Sequence, residues 1–128
     1  MTVRIRTVTF DCADPFALAA FWTQVTGFGE DPDNGNDPSD DEALLVGSGG
    51  APALLFIQVP EAKTVKNRVH LDLEPTDRTR DEEVERLLTL GATLVADFRG
   101  PDGRGFVVLA DPEGNELCIE RSEAERGG

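Results

Sequence analysis

Apolar and polar residues alternate over several short stretches of the chain, and this period of two is typical of β-strands. The first stretch extends from Val3 to Asp11. Another, KNRVHLDLE, lies near the midpoint of the chain and contains its single histidine, His70. Glycine, proline or clustered polar residues separate the stretches and mark turns. The pattern predicts strands at residues 3–11, 43–46, 53–59, 69–74, 92–98, 106–109 and 116–120.

A first helix is predicted directly after the first strand. Asp14 is suited to the N-cap position and Pro15 to the first helical position, while Gly27 ends the segment. Between them the apolar residues recur every three or four positions, so they should form one face that packs into a core. That face consists of Leu18, Phe21, Trp22 and Val25.

A second helix is predicted after the KNRVHLDLE stretch. Thr76 or Asp77 is the expected N-cap, and the helix should run to Leu90. Glu82 and Arg86 are four positions apart, which favours an ion pair on the helix surface. The residues expected to face inward are Val84, Leu87 and Leu88.

The two halves of the chain repeat the same pattern at an offset of 63 residues, which pairs Thr7 with His70 and Asp14 with Asp77. A repeat of this length is too long for a solenoid unit. It indicates an α+β fold of two βαβββ modules within a single domain covering residues 1–128. Module one is expected at about 1–62 and module two at about 66–121, followed by a charged, frayed tail at 122–128.

An acidic segment at residues 30–42 separates the first helix from the next strand. Its carboxylates have partly the spacing of a calcium-binding loop, but Gly35 and Asn36 stand in the reverse of the required order. Strands rather than helices are expected to follow it. The segment is therefore interpreted as a solvated loop that could act as a lid.

The net charge of −13 argues against nucleic acid or an anionic membrane as a partner, because phosphate binding depends on Lys and Arg. The nearest basic patch consists of Lys63, Lys66 and Arg68. No apolar run approaches the length of a membrane span, and the amino terminus lacks the pattern of a signal peptide. A cytoplasmic location is therefore expected, where Cys12 and Cys118 would remain thiols.

Strand alternation assigns the polar residues to one face of each predicted sheet. In module one, Thr7 and Thr9 share a face. In module two, His70 and Asp72 share a face of the first strand, and Cys118 and Glu120 share a face of the last strand. The neighbouring apolar residues point to the opposite face, towards the helices. Cys12 then lies on the helix side and Cys118 on the polar side, so no disulfide is expected.

The paired modules, the KNRVHLDL strand and the closing DPEGNELCIE segment resemble the vicinal oxygen chelate superfamily, specifically its small glyoxalase-like and bleomycin-resistance-like proteins. The resemblance covers about Val3 to Glu120. It implies that each module curls into half of a cup that holds the site. It also implies a homodimer, with the open sheet edge at the second strand of each module covered by pairing.

In that superfamily the metal ligands, usually His, Glu or Gln, come from the first and fourth strands of both modules. Those positions correspond here to Thr7, Leu55, His70 and Cys118, of which only His70 is a usual ligand. The resemblance therefore implies a degenerate site with no metal expected. If a divalent ion such as Zn, Fe, Mn or Ni binds, the expected ligands are His70 and Cys118 with Glu120, or with Asp72 in its place.

Three functions remain open. The first is a protein that binds a small, partly apolar organic ligand in a cup. The second is a metal-dependent lyase, isomerase or extradiol-type dioxygenase centred on His70 as the candidate catalytic residue; a structural or interaction subunit is a third possibility. The expected cup residues are Thr7, Thr9, Leu55, His70, Asp72, Cys118 and Glu120.

Overall fold

A computed structural model describes residues 1–127. The chain forms two compact units, Met1–Lys63 and a second that begins at Thr64, each with its own mixed β-sheet and helix. The α+β fold class predicted from the sequence is confirmed, while the single-domain organisation stays a prediction. No helix in the described part of the chain combines the length and apolar character needed to cross a membrane.

Unit one contains β1 (Thr7–Cys12), α1 (Pro15–Thr26), β2 (Glu42–Leu45) and β3 (Ala53–Gln58). The sheet order is β1-β3-β2, with β1 parallel to β3 and β2 antiparallel to it. Trp22 and Phe56 are completely buried, and the Phe10 ring lies 4.9 Å from Trp22 and 5.2 Å from Phe56. Trp22 is a core residue, as predicted.

Helix α1 begins and ends as its sequence predicts. The Asp14 carboxylate accepts a hydrogen bond from the backbone N–H of Ala17, and Pro15 occupies the first turn. At the other end Gly27 adopts a φ of 75°, a left-handed conformation that glycine reaches at little cost. Local chemistry alone therefore defines this helix.

The first strand is shorter than predicted. It begins at Thr7 because its parallel partner β3 begins at Ala53, whose N–H donates to the Arg6 carbonyl at 3.1 Å just before the strand. Val3 and Ile5, predicted to be strand residues, are 98% and 68% exposed. Strand length is set here by the partner and not by the alternating pattern.

The acidic segment is attached to β2 by the side chain of one asparagine, which binds backbone groups of that strand. The Asn36 side chain donates to the Leu44 carbonyl at 2.9 Å and accepts from the Leu44 N–H at 3.0 Å. The Asn36 side chain thus pairs with the edge of β2 as the backbone of a neighbouring strand would. The lid role of the loop stays a prediction.

Unit two contains β4 (Leu71–Leu73), α2 (Arg80–Thr89), β5 (Thr93–Asp97), β6 (Val107–Ala110), β7 (Glu116–Ile119) and α3 (Glu123–Gly127). The sheet order is β4-β7-β6-β5; β4 and β7 are parallel and the other neighbours are antiparallel. The core is formed by fully buried residues of α2, β6 and β7, namely Val84, Leu87, Val107, Leu109, Leu117 and Ile119.

Helix α2 starts later than predicted, and its N-cap is Thr79 rather than Thr76 or Asp77. The Thr79 hydroxyl accepts from the Glu82 N–H at 3.1 Å, and the Glu82 carboxylate accepts from the Thr79 N–H at 2.9 Å. This reciprocal capping box uses the Glu82 carboxylate. Arg86 binds Glu83 at 2.6 Å, and the predicted pair of Arg86 with Glu82 stays a prediction.

Two further predictions for unit two need correction. Strand β4 has only three residues, so Val69, expected on the buried face, lies before the strand and is 78% exposed. The tail expected to be frayed forms α3. The Glu125 carboxylate accepts from the N–H groups of Ser122 at 2.9 Å and Arg80 at 2.7 Å, which joins α3 to the start of α2.

Candidate functional site

Cys118 lies on β7, between a strand on each side. Its register partners are Asp72 on β4 and Val108 on β6. Because paired residues of adjacent strands point to the same side of a sheet, these three side chains share one face. We call this the Cys118 face; at its centre Cys118 is 3% exposed and Val108 is 8% exposed.

His70 immediately precedes β4, and its side chain contacts those of Cys118 and Asp72. Its Nδ1 atom lies 3.1 Å from Oδ1 of Asp72 and 3.6 Å from the sulfur of Cys118. The side chains of His70 and Asp72 are 41% and 54% exposed, so the cluster is open to solvent on one side. These three residues form the His70 cluster.

The Cys118 thiol is held in its protonated form. Burial raises its pKa to about 11, and the negative charge of Asp72, a hydrogen bond to Asp72 and the charges of Glu120 and Glu116 act in the same direction. The thiol is therefore a hydrogen-bond donor and a poor nucleophile at neutral pH.

Three carboxylates act on this thiol, those of Asp72, Glu120 and Glu116, and basic side chains interact with two of them. Lys66 contacts Glu116 at 2.7 Å, and Arg126 forms an ion pair with Glu74. Glu120 follows Cys118 by two residues and therefore points to the same face. Arg126 also interacts electrostatically with Glu120.

The donor set of the His70 cluster is chemically suited to a divalent metal ion. One imidazole nitrogen, one carboxylate oxygen and one thiol sulfur lie within 4.8 Å of one another. Zinc accepts this combination, and three protein ligands with an open position are typical of catalytic zinc sites. Asp72, not Glu120, is the third member, because Asp72 is directly opposite Cys118 and Glu120 is displaced along β7.

The expected site residues of module one lie together on the sheet of unit one. Thr9 is opposite Leu55 and Thr7 is opposite Ala53 in the parallel β1–β3 pair, so the three side chains share a face. Thr9 is exposed, and Thr7 and Leu55 are half-buried. None offers a nitrogen, thiolate or carboxylate ligand. A cup lined by both sets of residues stays a prediction.

Several residues near the cluster were not identified from the sequence as site residues. Lys66 and Glu116 were not expected to pair, and Val108 had no assigned partner. Asn67, three residues before His70, has a buried side-chain oxygen that no donor reaches among the described residues. The alternation of β7 could have indicated Glu116, but the contacts of Lys66 and Asn67 depend on how the segment before β4 folds.

A separate cleft of about 840 Å³ lies between α3 and the loop before α2. More of its exposed lining is apolar than polar, although Thr76, Asp77 and Ser122 contribute to it, and no expected site residue does.

Comparison with known proteins agrees with this architecture. The family model of the glyoxalase-like domain matches residues 7–120. No curated protein matches the sequence.

Solved structures of similar fold cover almost the whole chain. A glyoxalase/bleomycin resistance protein/dioxygenase family enzyme from Burkholderia phytofirmans is 24% identical, with a TM-score of 0.68, over 91% of this chain and 97% of its own. A glyoxalase-related enzyme from Fulvimarina pelagi is 22% identical, with a TM-score of 0.65, over 93% and 88%. A mutant of the fosfomycin resistance protein FosX from Listeria monocytogenes, complexed with Mn(II) and a dihydroxypropylphosphonic acid, is 16% identical, with a TM-score of 0.71, over 99% and 98%.

Proposed function

The chain belongs to the glyoxalase-like domain family of the vicinal oxygen chelate superfamily, and we propose that it binds a small, partly apolar organic ligand on the Cys118 face. The observation that carries this proposal is the His70 cluster beside Val108. An imidazole, a carboxylate and a protonated thiol converge within 4.8 Å, next to an apolar neighbour on β6. Such a combination can orient a ligand by hydrogen bonds while burying its apolar part.

The residues of unit one favour binding over metal-dependent catalysis. The positions that correspond to the metal ligands of the superfamily are Thr7 and Leu55, and neither supplies a strong ligand atom. A degenerate metal site that serves as a ligand site accounts for this difference.

A thermal-shift screen of small aromatic and aliphatic compounds tests the proposal, because a ligand that binds only the native state raises its melting temperature. A ligand found in this way should lose its effect in Asp72→Lys. The matched control is Asp77→Lys, which makes the same change in the separate cleft. Loss of binding in Asp77→Lys with retention in Asp72→Lys would place the ligand in the cleft and contradict the proposal.

A metal-dependent lyase, isomerase or dioxygenase activity is the second candidate, because the His70 cluster contains three ligand atoms of suitable type. A bound ion would supply Lewis-acid chemistry, with His70, Asp72 and Cys118 as its protein ligands. FosX from Listeria monocytogenes, which shares the fold, is complexed with Mn(II). Elemental analysis of untagged protein purified without chelator decides: stoichiometric metal that is lost in His70→Ala favours the enzyme.

A homodimer is proposed through β5, which is an edge strand of its sheet. Leu94, Val95 and Phe98 on this edge are 54%, 50% and 56% exposed, which is unusual for large apolar residues clustered at one edge. Val95→Lys should shift the protein to monomer in analytical ultracentrifugation. Val65→Lys, at an exposed site outside the sheet, should leave the assembly unchanged.

A cytoplasmic location is proposed from the state of the cysteines. Cys12 and Cys118 are both buried thiols, as expected for a protein of a reducing compartment. Fractionation of cells expressing the untagged protein tests this location, and recovery from the extracellular fraction would contradict it.

A further inference from the structure

The segment that leads into β4, residues 64–69, forms neither helix nor strand, and we call it the strap. It bends at Arg68 and Val69, where the side-chain nitrogen of Asn67 donates to the Val69 carbonyl at 3.1 Å. The bent strap also reaches β7, because Lys66 contacts the carboxylate of Glu116 at 2.7 Å. A charged contact therefore attaches the strap to the strand that carries Cys118.

His70 follows the strap directly and lies just before β4, which begins at Leu71. Its imidazole is 41% exposed and lies 3.6 Å from the sulfur of Cys118, whereas Cys118 is 3% exposed. The imidazole thus covers the thiol on its solvent side. Glu116 precedes Cys118 by two residues, so the anchor of the strap and the covered thiol lie on the same face of β7.

Two properties of the strap favour its opening. Val65 and Val69 are 73% and 78% exposed, so these large side chains gain little from apolar burial in the closed arrangement. The side-chain oxygen of Asn67 is buried with no donor among the described residues, which is unfavourable. The ion pair of Lys66 with Glu116 works against both effects. Since the side chain of Lys66 is 70% exposed, this pair is of the kind that solvent and salt weaken easily.

We propose that the strap is a latch over the Cys118 face: the ion pair of Lys66 with Glu116 holds it closed with His70 on the thiol, and its release admits a ligand. The inference rests on the proposed function for what enters the face. The opening itself requires no ligand, so it is tested separately.

Alkylation of Cys118 by iodoacetamide measures the opening, because the reagent reaches the sulfur when His70 moves away. The rates are determined by mass spectrometry of the modified peptides in buffer containing EDTA. Lys66→Gln should raise the rate at Cys118 about fivefold, the change expected from the loss of an ion pair with one exposed partner. Cys12, which is buried in unit one, should keep its rate. Arg68→Gln, which removes the same charge from an exposed site of the strap, should leave both rates unchanged.

The direction of the change distinguishes opening from electrostatics. The charge of Glu116 raises the pKa of Cys118, so removing the cation beside Glu116 should by charge alone lower the thiolate fraction and slow alkylation. The latch requires faster alkylation in Lys66→Gln. Raising the ionic strength should likewise accelerate the reaction in wild type more than in Lys66→Gln, since salt screens only a pair that is present.

A double variant tests whether the strap acts through His70. His70→Ala uncovers the thiol directly, so adding Lys66→Gln to it should produce no further increase. Circular dichroism of each variant confirms that it folds.

A Cys118 rate that is unchanged or lower in Lys66→Gln contradicts the latch, as does a parallel rise at Cys12, which would indicate general loosening. An increase that persists in the His70→Ala background also overturns it, as does an equal response of wild type and Lys66→Gln to salt. None of these results affects the thermal-shift screen, which tests the proposed function by itself.

Discussion

The sulfur of Cys118 lies 3.6 Å from Nδ1 of His70, although the two residues are 48 positions apart in the chain. Asp72 contacts the same nitrogen at 3.1 Å, so a single imidazole is shared between a thiol and a carboxylate. In the tautomer with the proton on Nδ1, His70 donates to Asp72. In the other tautomer, the same nitrogen can accept from the thiol.

The first prediction concerns the reactivity of Cys118. A pKa raised from 9.0 to about 11 reduces the thiolate fraction at pH 8 about a hundredfold, so alkylation by iodoacetamide should be correspondingly slow. Asp72→Asn should accelerate it by removing a negative charge. Mass spectrometry of the modified peptide gives the rate, with Glu85→Gln as control. A rate equal in wild type and Asp72→Asn would show that access, and not charge, protects the thiol.

The second prediction concerns the start of α2. Thr79→Ala removes the hydroxyl that caps the helix and should lower the free energy of unfolding by about 1 kcal/mol. Thr76→Ala makes the same change three residues earlier, at an exposed residue outside the helix, and should have little effect. Urea denaturation measures both. A larger loss in Thr76→Ala would place the helix start at the earlier threonine.

The third prediction compares two glycines of one hairpin, both with positive φ. A Cβ atom at Gly105 would lie 2.0 Å from the carbonyl oxygen of Phe98, whereas at Gly103 it would meet nothing within 4 Å. Gly103→Ala should cost about 1 to 2 kcal/mol from backbone strain alone. Gly105→Ala should cost about 3 kcal/mol or more because the backbone must also move. Similar melting temperatures for the two variants would contradict the close approach.

The fourth prediction concerns the buried Arg80. Its guanidinium donates to the carbonyls of Gly103 at 3.1 Å and Gly105 at 3.0 Å, and its side chain is 6% exposed. Arg80→Met leaves both carbonyls without a donor and should destabilise the protein by about 2 to 3 kcal/mol. Arg104→Met, at a side chain 77% exposed, should change stability by about 0.5 kcal/mol or less. Equal effects in denaturant titrations would show that the Arg80 contacts contribute nothing.

The fifth prediction is a pH dependence at Asp97. Hydrogen bonds from Arg99 lower the pKa of Asp97 from 3.8 to about 2, so the ionised form is favoured in the folded state. The contribution of Asp97 to stability is therefore present above pH 3.8 and is lost as the pH falls towards 2. Asp97→Asn should lower the melting temperature at pH 6 and converge with wild type near pH 2.

Local chemistry made α1 predictable, because Asp14, Pro15 and Gly27 act within a few residues of the helix ends. The start of α2 was also encoded locally: Thr79 precedes Glu82 by three positions, which is the capping-box spacing. The nearby candidate caps Thr76 and Asp77 obscured it. The short helix α3 was not predictable in this way, since Glu125 is held by an N–H group of α2.

The proximity of His70 to Cys118 was predictable from the sequence, but the identity of the carboxylate that joins them was not. Alternation put His70, Asp72, Cys118 and Glu120 on one face, and the repeat offset singled out His70. Which carboxylate contacts the thiol depends on the register between β4 and β7. These are the first and last strands of unit two in sequence, so no local pattern determines their register. The length of β4 could not be predicted from the sequence either, because the alternating pattern extends beyond the residues that pair with β7.

The three-residue parallel pair of β4 with β7 also has a consequence for the order of folding. Closing it brings together segments that are almost a whole unit apart in sequence, and such non-local pairings form slowly because the chain entropy is lost first. The hairpins β5–β6 and β6–β7 are local and are expected to form earlier. Protection of the Cys118 thiol during refolding would then report the last step, so the site should be complete only when the whole unit has folded.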